Sequence, residues 1–141
     1  MEVKNPNLVL HYRRRADSIF AAARDLVALE SDDPDYLPAV GVLAVHGCIA
    51  LADALLVATE GSRSISDDHA TAARTLKKWC SSTRTVDGGI KHFDWLLTKK
   101  SDFSYGERAV KDDDLKLAKV KMDQFFAWAF STFPEVAQLG Q

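Results

Sequence analysis

The sequence predicts an all-α fold, an antiparallel up-and-down bundle of about five helices in one domain spanning residues 1–141. Three observations predict it. Apolar residues recur at spacings of three and four in most of the chain. No segment alternates apolar and polar residues as a half-buried strand does. One stretch, LPAVGVLAVHGCIALADALLVA at 37–58, is apolar or small at almost every position. A helix that is apolar on all sides must be surrounded, by protein or by lipid.

Length alone would let that stretch cross a membrane. Its residues argue otherwise. His46 and Asp53 would lie deep in hydrocarbon, where ionisable groups are costly. Its flanks, Asp32, Asp33, Asp35 and Glu60, carry no Lys or Arg to set an orientation. The other segments are amphipathic, as if each lends one face to cover it. The expectation is a central helix of a soluble bundle, with no membrane partner.

The first helix is expected from about Asn5 to Glu30, with Pro6 in its first turn. Leu8, Tyr12, Ala16, Ile19, Ala23, Leu26 and Val27 form its inner face, and Val9 and Phe20 widen it. Arg13, Arg14, Asp17, Arg24 and Asp25 fall on the other side. SDDPD at 31–35 is a turn. The central helix then runs to about Glu60 and stops at Gly61, a residue suited to a left-handed cap. Gly47, Ala54 and Ala58, with Ala50 beside them, make a strip of small residues where another helix should cross closely.

After the connector GSRSI at 61–65, Ser66 is the expected N-cap of a third helix reaching about Ser81, with Asp67 and Asp68 at the positive end of its dipole. Ala73, Leu76 and Cys80 point inward. A fourth helix runs from Ile90 to about Lys100 and buries Ile90, Phe93, Leu96 and Leu97. SDFSYGERAV at 101–110 reads as irregular. A fifth helix starts near Asp112, which is expected to cap it, and ends at Pro134. Its inner face is Leu115, Ala118, Met122, Phe125, Phe126, Ala129 and Phe133. Phe126, Trp128 and Phe130 together make a face wider than one core stripe needs, which would suit a homodimer interface.

A formal net charge of −2 creates no whole-molecule field toward nucleic acid or membrane, so any such partner needs a local patch. Cys48 and Cys80 lie on apolar faces without metal-ligand spacing and read as reduced core residues of a cytoplasmic protein. No signal peptide, phosphate-binding glycine loop, GxSxG or His-Glu-x-x-His pattern is present. His11, His46, His69 and His92 fall on four helices and read as four unrelated histidines. Neither a metal nor another cofactor is expected.

Three places could carry chemistry. Asp53 is a carboxylate inside an apolar helix and must be paired, hydrogen-bonded or protonated. It either fixes packing through a hydroxyl, Arg or Lys, or orients a basic functional residue. His46 lies two turns earlier on the same face, about 10 Å away, so both can line one cleft. The second place is Arg63-Ser-Ile-Ser-Asp-Asp-His69, where Arg63 can hold a phosphate and His69 can exchange a proton near neutral pH. The bland alternative is a solvated arginine and a capping histidine. The third is Lys99, Lys100, Asp102 and Tyr105. The lysines suit the negative C-terminal end of a helix. With Arg13 to Arg15, Arg74, Lys77, Lys78 and Arg84, they could instead form a basic surface for nucleic acid.

VHGCIALADALLVA at 45–58, GSRSISDDHATAARTL at 61–76, FDWLLTKKSDFSY at 93–105 and DDLKLAKVKMDQFFAWA at 113–129 together resemble the HEPN superfamily, the helical nucleotide-binding domains of higher eukaryotes and prokaryotes. The resemblance covers roughly the last two-thirds of the chain. It implies a dimerising helical bundle that binds RNA or nucleotide. Many members of that superfamily are metal-independent ribonucleases, and some are toxins paired with a nucleotidyltransferase-type antitoxin. Their usual Arg, four to six residues, then His near the last helices is missing here, and the spacing recurs only at Arg63 and His69. On this basis Arg63 and His69 are the candidate catalytic pair in a dimer cleft. His46, Asp53, Lys99, Lys100, Asp102 and Tyr105 are the candidate binding or orienting residues. Three functions stay open: a module binding nucleotide, RNA or a protein partner; a metal-independent endoribonuclease; and a purely structural dimerisation module.

Overall fold

The computed structural model describes residues 1–29, 36–63, 68–106 and 110–141. They form α1 (Pro6–Ala28), α2 (Tyr36–Glu60), α3 (His69–Thr83), α4 (Ile90–Tyr105), α5 (Asp112–Thr132) and a single turn, α6 (Pro134–Ala137). Among the described residues there is no strand. The predicted all-α bundle of about five substantial helices is the observed fold.

α2 is the central helix and packs against all five others. From Cys48 to Thr59 every residue is buried. The helix is long and apolar enough to cross a membrane, and most of it is covered by the rest of the chain. The strip of small residues works as expected: α1 crosses there, and a Cβ on Gly47 would stand 3.2 Å from Cγ2 of Ile19. Burying the aliphatic row of α2 stabilises the fold at about 25 cal/mol per Å² of apolar surface removed from water.

The helix ends follow their sequences. Gly61 (φ 90°) closes α2 and its N–H donates to the Val57 carbonyl at 2.9 Å. Pro6 sits in the first turn of α1. Asp68 caps α3 by accepting from the Ala70 N–H, whereas the predicted cap Ser66, with Asp67, lies outside the described residues. The 31–35 turn also lies outside them.

The structure corrects three expectations. α4 does not end at Lys100 but continues to Tyr105, because Phe103 reaches the core against Gly41; it stops at Gly106 (φ 63°). Asp112 is the first residue of α5 rather than its cap, which is Lys111 without a side-chain bond. Arg13 is not on an outward face. It is only 8% exposed, and its Nη1 donates to the carbonyls of Val136, Ala137 and Leu139 at 3.0, 3.1 and 2.6 Å. These acceptors sit at the negative end of α6, where a cation is favoured. The aromatic excess of α5 finds partners within the chain, with Trp128 and Phe130 left partly exposed. Phe126 stacks on Phe20, Phe130 packs edge-on to Phe126, and Trp128 lies over Gly89 with its Nε1 donating to the Val86 carbonyl at 2.9 Å.

Candidate functional site

Where α1 crosses α2 near Gly47, their polar residues come to one side of the crossing. His11, Tyr12, Arg15 and Ile19 from α1 face His46, Ile49, Ala50 and Asp53 from α2, and Arg63 from the following connector completes the wall. Together they enclose an open cleft of about 180 Å³. On α1 the spacing of 11, 12, 15 and 19 is one helical face, and on α2 so is 46, 49, 50 and 53.

Asp53 is the acidic group of this cleft. It is only 8% exposed, and its Oδ2 accepts from Nη1 of Arg63 at 3.3 Å. Burial raises its pKa, and the Arg63 charge and hydrogen bond oppose that only in part. Arg63 remains 48% exposed, with its guanidinium 5.6 Å from the centre of the Tyr12 ring. A carboxylate and an aromatic face thus hold the guanidinium on one side and leave the other toward the cleft. His46 sits at the mouth. Burial lowers its pKa, and the nearby charges of Lys100, His69 and Arg15 act in the same direction. A neutral imidazole near neutral pH can accept a proton as well as donate a hydrogen bond.

The structure therefore brings together Arg63, Asp53 and His46. His69 opens α3 and acts electrostatically on both His46 and Asp53, and Lys100 acts on His46. Three of the four histidines expected to be unrelated share this neighbourhood. The fourth, His92, lies elsewhere, with its Nδ1 3.4 Å from Nζ of Lys121. The remaining candidates stand apart from the cleft. Lys99 pairs with Asp114 at 3.6 Å and lies over the Trp95 ring. Asp102 lines a separate, mostly apolar hollow with Phe103 and Leu115. Tyr105 is 74% exposed at the end of α4.

Sequence reasoning missed the contribution of α1 to the site. Tyr12 was assigned to the core face and Arg15 to a general basic surface. The signal that could have found them is the spacing of His11 and Arg15, four apart on one face beside Tyr12.

The cleft has two guanidinium groups and one carboxylate, with the imidazoles of His11 and His46 beside them. It can hold an anion, and it can move a proton at that anion. Among the described residues, no group of three or more His, Cys, Asp or Glu side chains is arranged to hold a metal ion. No protein-family model, curated protein or solved structure matches this chain.

Proposed function

We propose that this chain binds the phosphate of a nucleotide or of RNA in the cleft between α1 and α2, as a divergent relative of the HEPN superfamily. The observation that carries the reading is that Arg15 and Arg63 line one cleft beside the buried Asp53, with His11 and His46 on the same walls. Arginine forks match phosphate oxygens, and Asp53 with Tyr12 reduces the freedom that Arg63 must give up on binding. The five-helix bundle is compatible with the resemblance. The buried free thiols Cys48 and Cys80 fit the cytoplasm, where such ligands occur.

The test is a binding titration of a fluorescent single-stranded RNA and of mononucleotides, with wild type beside Arg63→Gln. Binding that weakens tenfold or more in the variant is the expected result. Equal binding by both proteins, or none by either, overturns the reading.

A second reading is favoured by the proximity of His46 and His69 to Arg63. In it, a ribose 2′-hydroxyl attacks the adjacent phosphodiester. His69 takes its proton, Arg63 stabilises the charge on the phosphorane, and the 5′-oxygen leaves as a hydroxyl by taking up a proton from the protonated His69 or from water, giving a 2′,3′-cyclic phosphate end. Cleavage of a mixed single-stranded RNA in excess EDTA by wild type, and not by His69→Ala, is its expected result. An unchanged rate in folded His69→Ala removes His69 from the mechanism. A homodimer and a nucleotidyltransferase-type partner belong to the same proposal. Such a dimer could use the partly exposed Trp128 and Phe130 together with the exposed Leu117 and Val120 of the same helix. Light scattering at micromolar concentration tests it.

A further inference from the structure

Some of the positive charge outside the cleft is paired where it stands. Lys77 pairs with Asp94, Lys99 with Asp114, Lys119 with Asp123 and Arg74 with Asp68. Arg13 is buried on backbone carbonyls. The basic surface that the sequence allowed is thus interrupted by aspartates at Arg74, Lys77 and Lys99. A protein that tracks a nucleic-acid backbone needs several uncancelled cations in a row, since each phosphate is neutralised separately.

Two features of the cleft define what it can take. Arg15 makes no ion pair among the described residues, and Arg63 shares one carboxylate. With neutral imidazoles the two guanidinium groups and Asp53 leave one net positive charge. Protonation of His46 can add to it. The cleft is also small. Its volume of about 180 Å³ is below the several hundred Å³ of sites that enclose a whole drug-sized ligand, and the apolar side chains of Ile49 and Ala50 form part of its wall. It has room for one phosphate and the start of what bears it, but little for a chain that continues from both sides.

We propose that the cleft takes a terminal phosphomonoester, held between Arg15 and Arg63, in preference to an internal phosphodiester. Near neutral pH a monoester carries between one and two negative charges and three terminal oxygens, whereas a diester carries one charge and must continue in two directions. Two arginine forks from different elements complement the first better than the second. This inference rests on the phosphate-binding reading above and narrows its ligand class.

The experiment is calorimetric titration of the full chain with uridine 5′-monophosphate, uridine 3′-monophosphate and the dinucleotide UpU, whose only phosphate is a diester. At least one monophosphate is expected to bind tenfold or more tightly than UpU. That binding is expected to fall at least tenfold in both Arg15→Gln and Arg63→Gln, and to stay within twofold in Lys78→Gln. Arginines 15 and 63 are exposed or half-exposed, and far-ultraviolet circular dichroism checks that their variants fold. UpU binding as tightly as both monophosphates overturns the monoester preference and leaves phosphate binding standing. No binding by any of the three overturns both.

Discussion

Arg13 and Arg63 are the same residue type on either side of α1, and the bundle uses them in opposite ways. Arg13 is buried, has three carbonyl acceptors from the 136–139 segment and has its Nε 3.3 Å from Asp17. Arg63 is half-exposed, has one carboxylate partner and faces an open cleft. The difference teaches that an arginine's role follows from what already satisfies its donors. A guanidinium occupied by fixed carbonyls holds the fold together. One that keeps donors toward solvent is available to a ligand.

The largest break of this comparison should come from Arg13→Leu. Loss of a charged hydrogen-bond donor to three carbonyls is expected to cost about 2–3 kcal/mol, with phosphate affinity unchanged well below the melting temperature. Urea unfolding together with calorimetric titration measures both. The reciprocal change, Arg63→Gln, is expected to lower phosphate affinity tenfold, about 1.4 kcal/mol, while stability moves by less than about 1 kcal/mol, as for an exposed ion pair. A large stability loss in Arg63→Gln would erase the distinction.

A third prediction sharpens the cleft side. The pKa of His46 is lowered in the fold, so the unfolded chain binds its proton first as pH falls. The stability contributed by His46 is complete above the ordinary imidazole value of about 6.5, and it is lost as pH falls through that value toward the folded one. In NMR titrations the His46 ring is expected to titrate below 6.5 in the free protein and to shift upward when uridine monophosphate is added. An unmoved midpoint would place the phosphate away from His46.

The smallest effect belongs to Asp53. Its pKa is raised by burial despite Arg63, so its contribution has the opposite sign: it favours folding at low pH and fades as pH rises through the folded value. Asp53→Asn is therefore expected to change stability at pH 7 by no more than about 1 kcal/mol, since relief from burying a charge offsets the lost ion pair. Phosphate affinity should drop a few-fold as Arg63 loses its anchor. A stability loss of several kcal/mol in urea unfolding would make Asp53 a structural partner first.

Much of the fold was legible because helix periodicity and end signals are local. Pro6, Gly61 and Pro134 mark observed boundaries, and the apolar row of α2 could only be central. The misplaced end of α4 has a local cause as well: Lys-Lys-Ser-Asp reads like the close of a helix, and only the distant Gly41 reveals that Phe103 must turn inward. Arg13 was illegible for the opposite reason. A charge on a helix face signals solvent, and its acceptors lie more than 120 residues away in sequence. The candidate site was half legible. Asp53, His46, Arg63 and His69 could be gathered from one helix and the start of the next. The α1 wall depends on where that helix crosses α2, which the small-residue strip locates without saying which α1 side chains flank the contact.

The Arg13 contact also sets an order of events when the chain is made. Residue 13 leaves the ribosome more than 120 residues ahead of its carbonyl partners at 136–139. Until then the α1 cation has nothing to occupy its buried position, and α1 can rest on α2 only with that charge still seeking water. The buried α1 cation is therefore satisfied only once the last turn of helix has formed. A chain halted before residue 134 would carry every cleft residue and still lack the acceptors that make burying Arg13 tolerable.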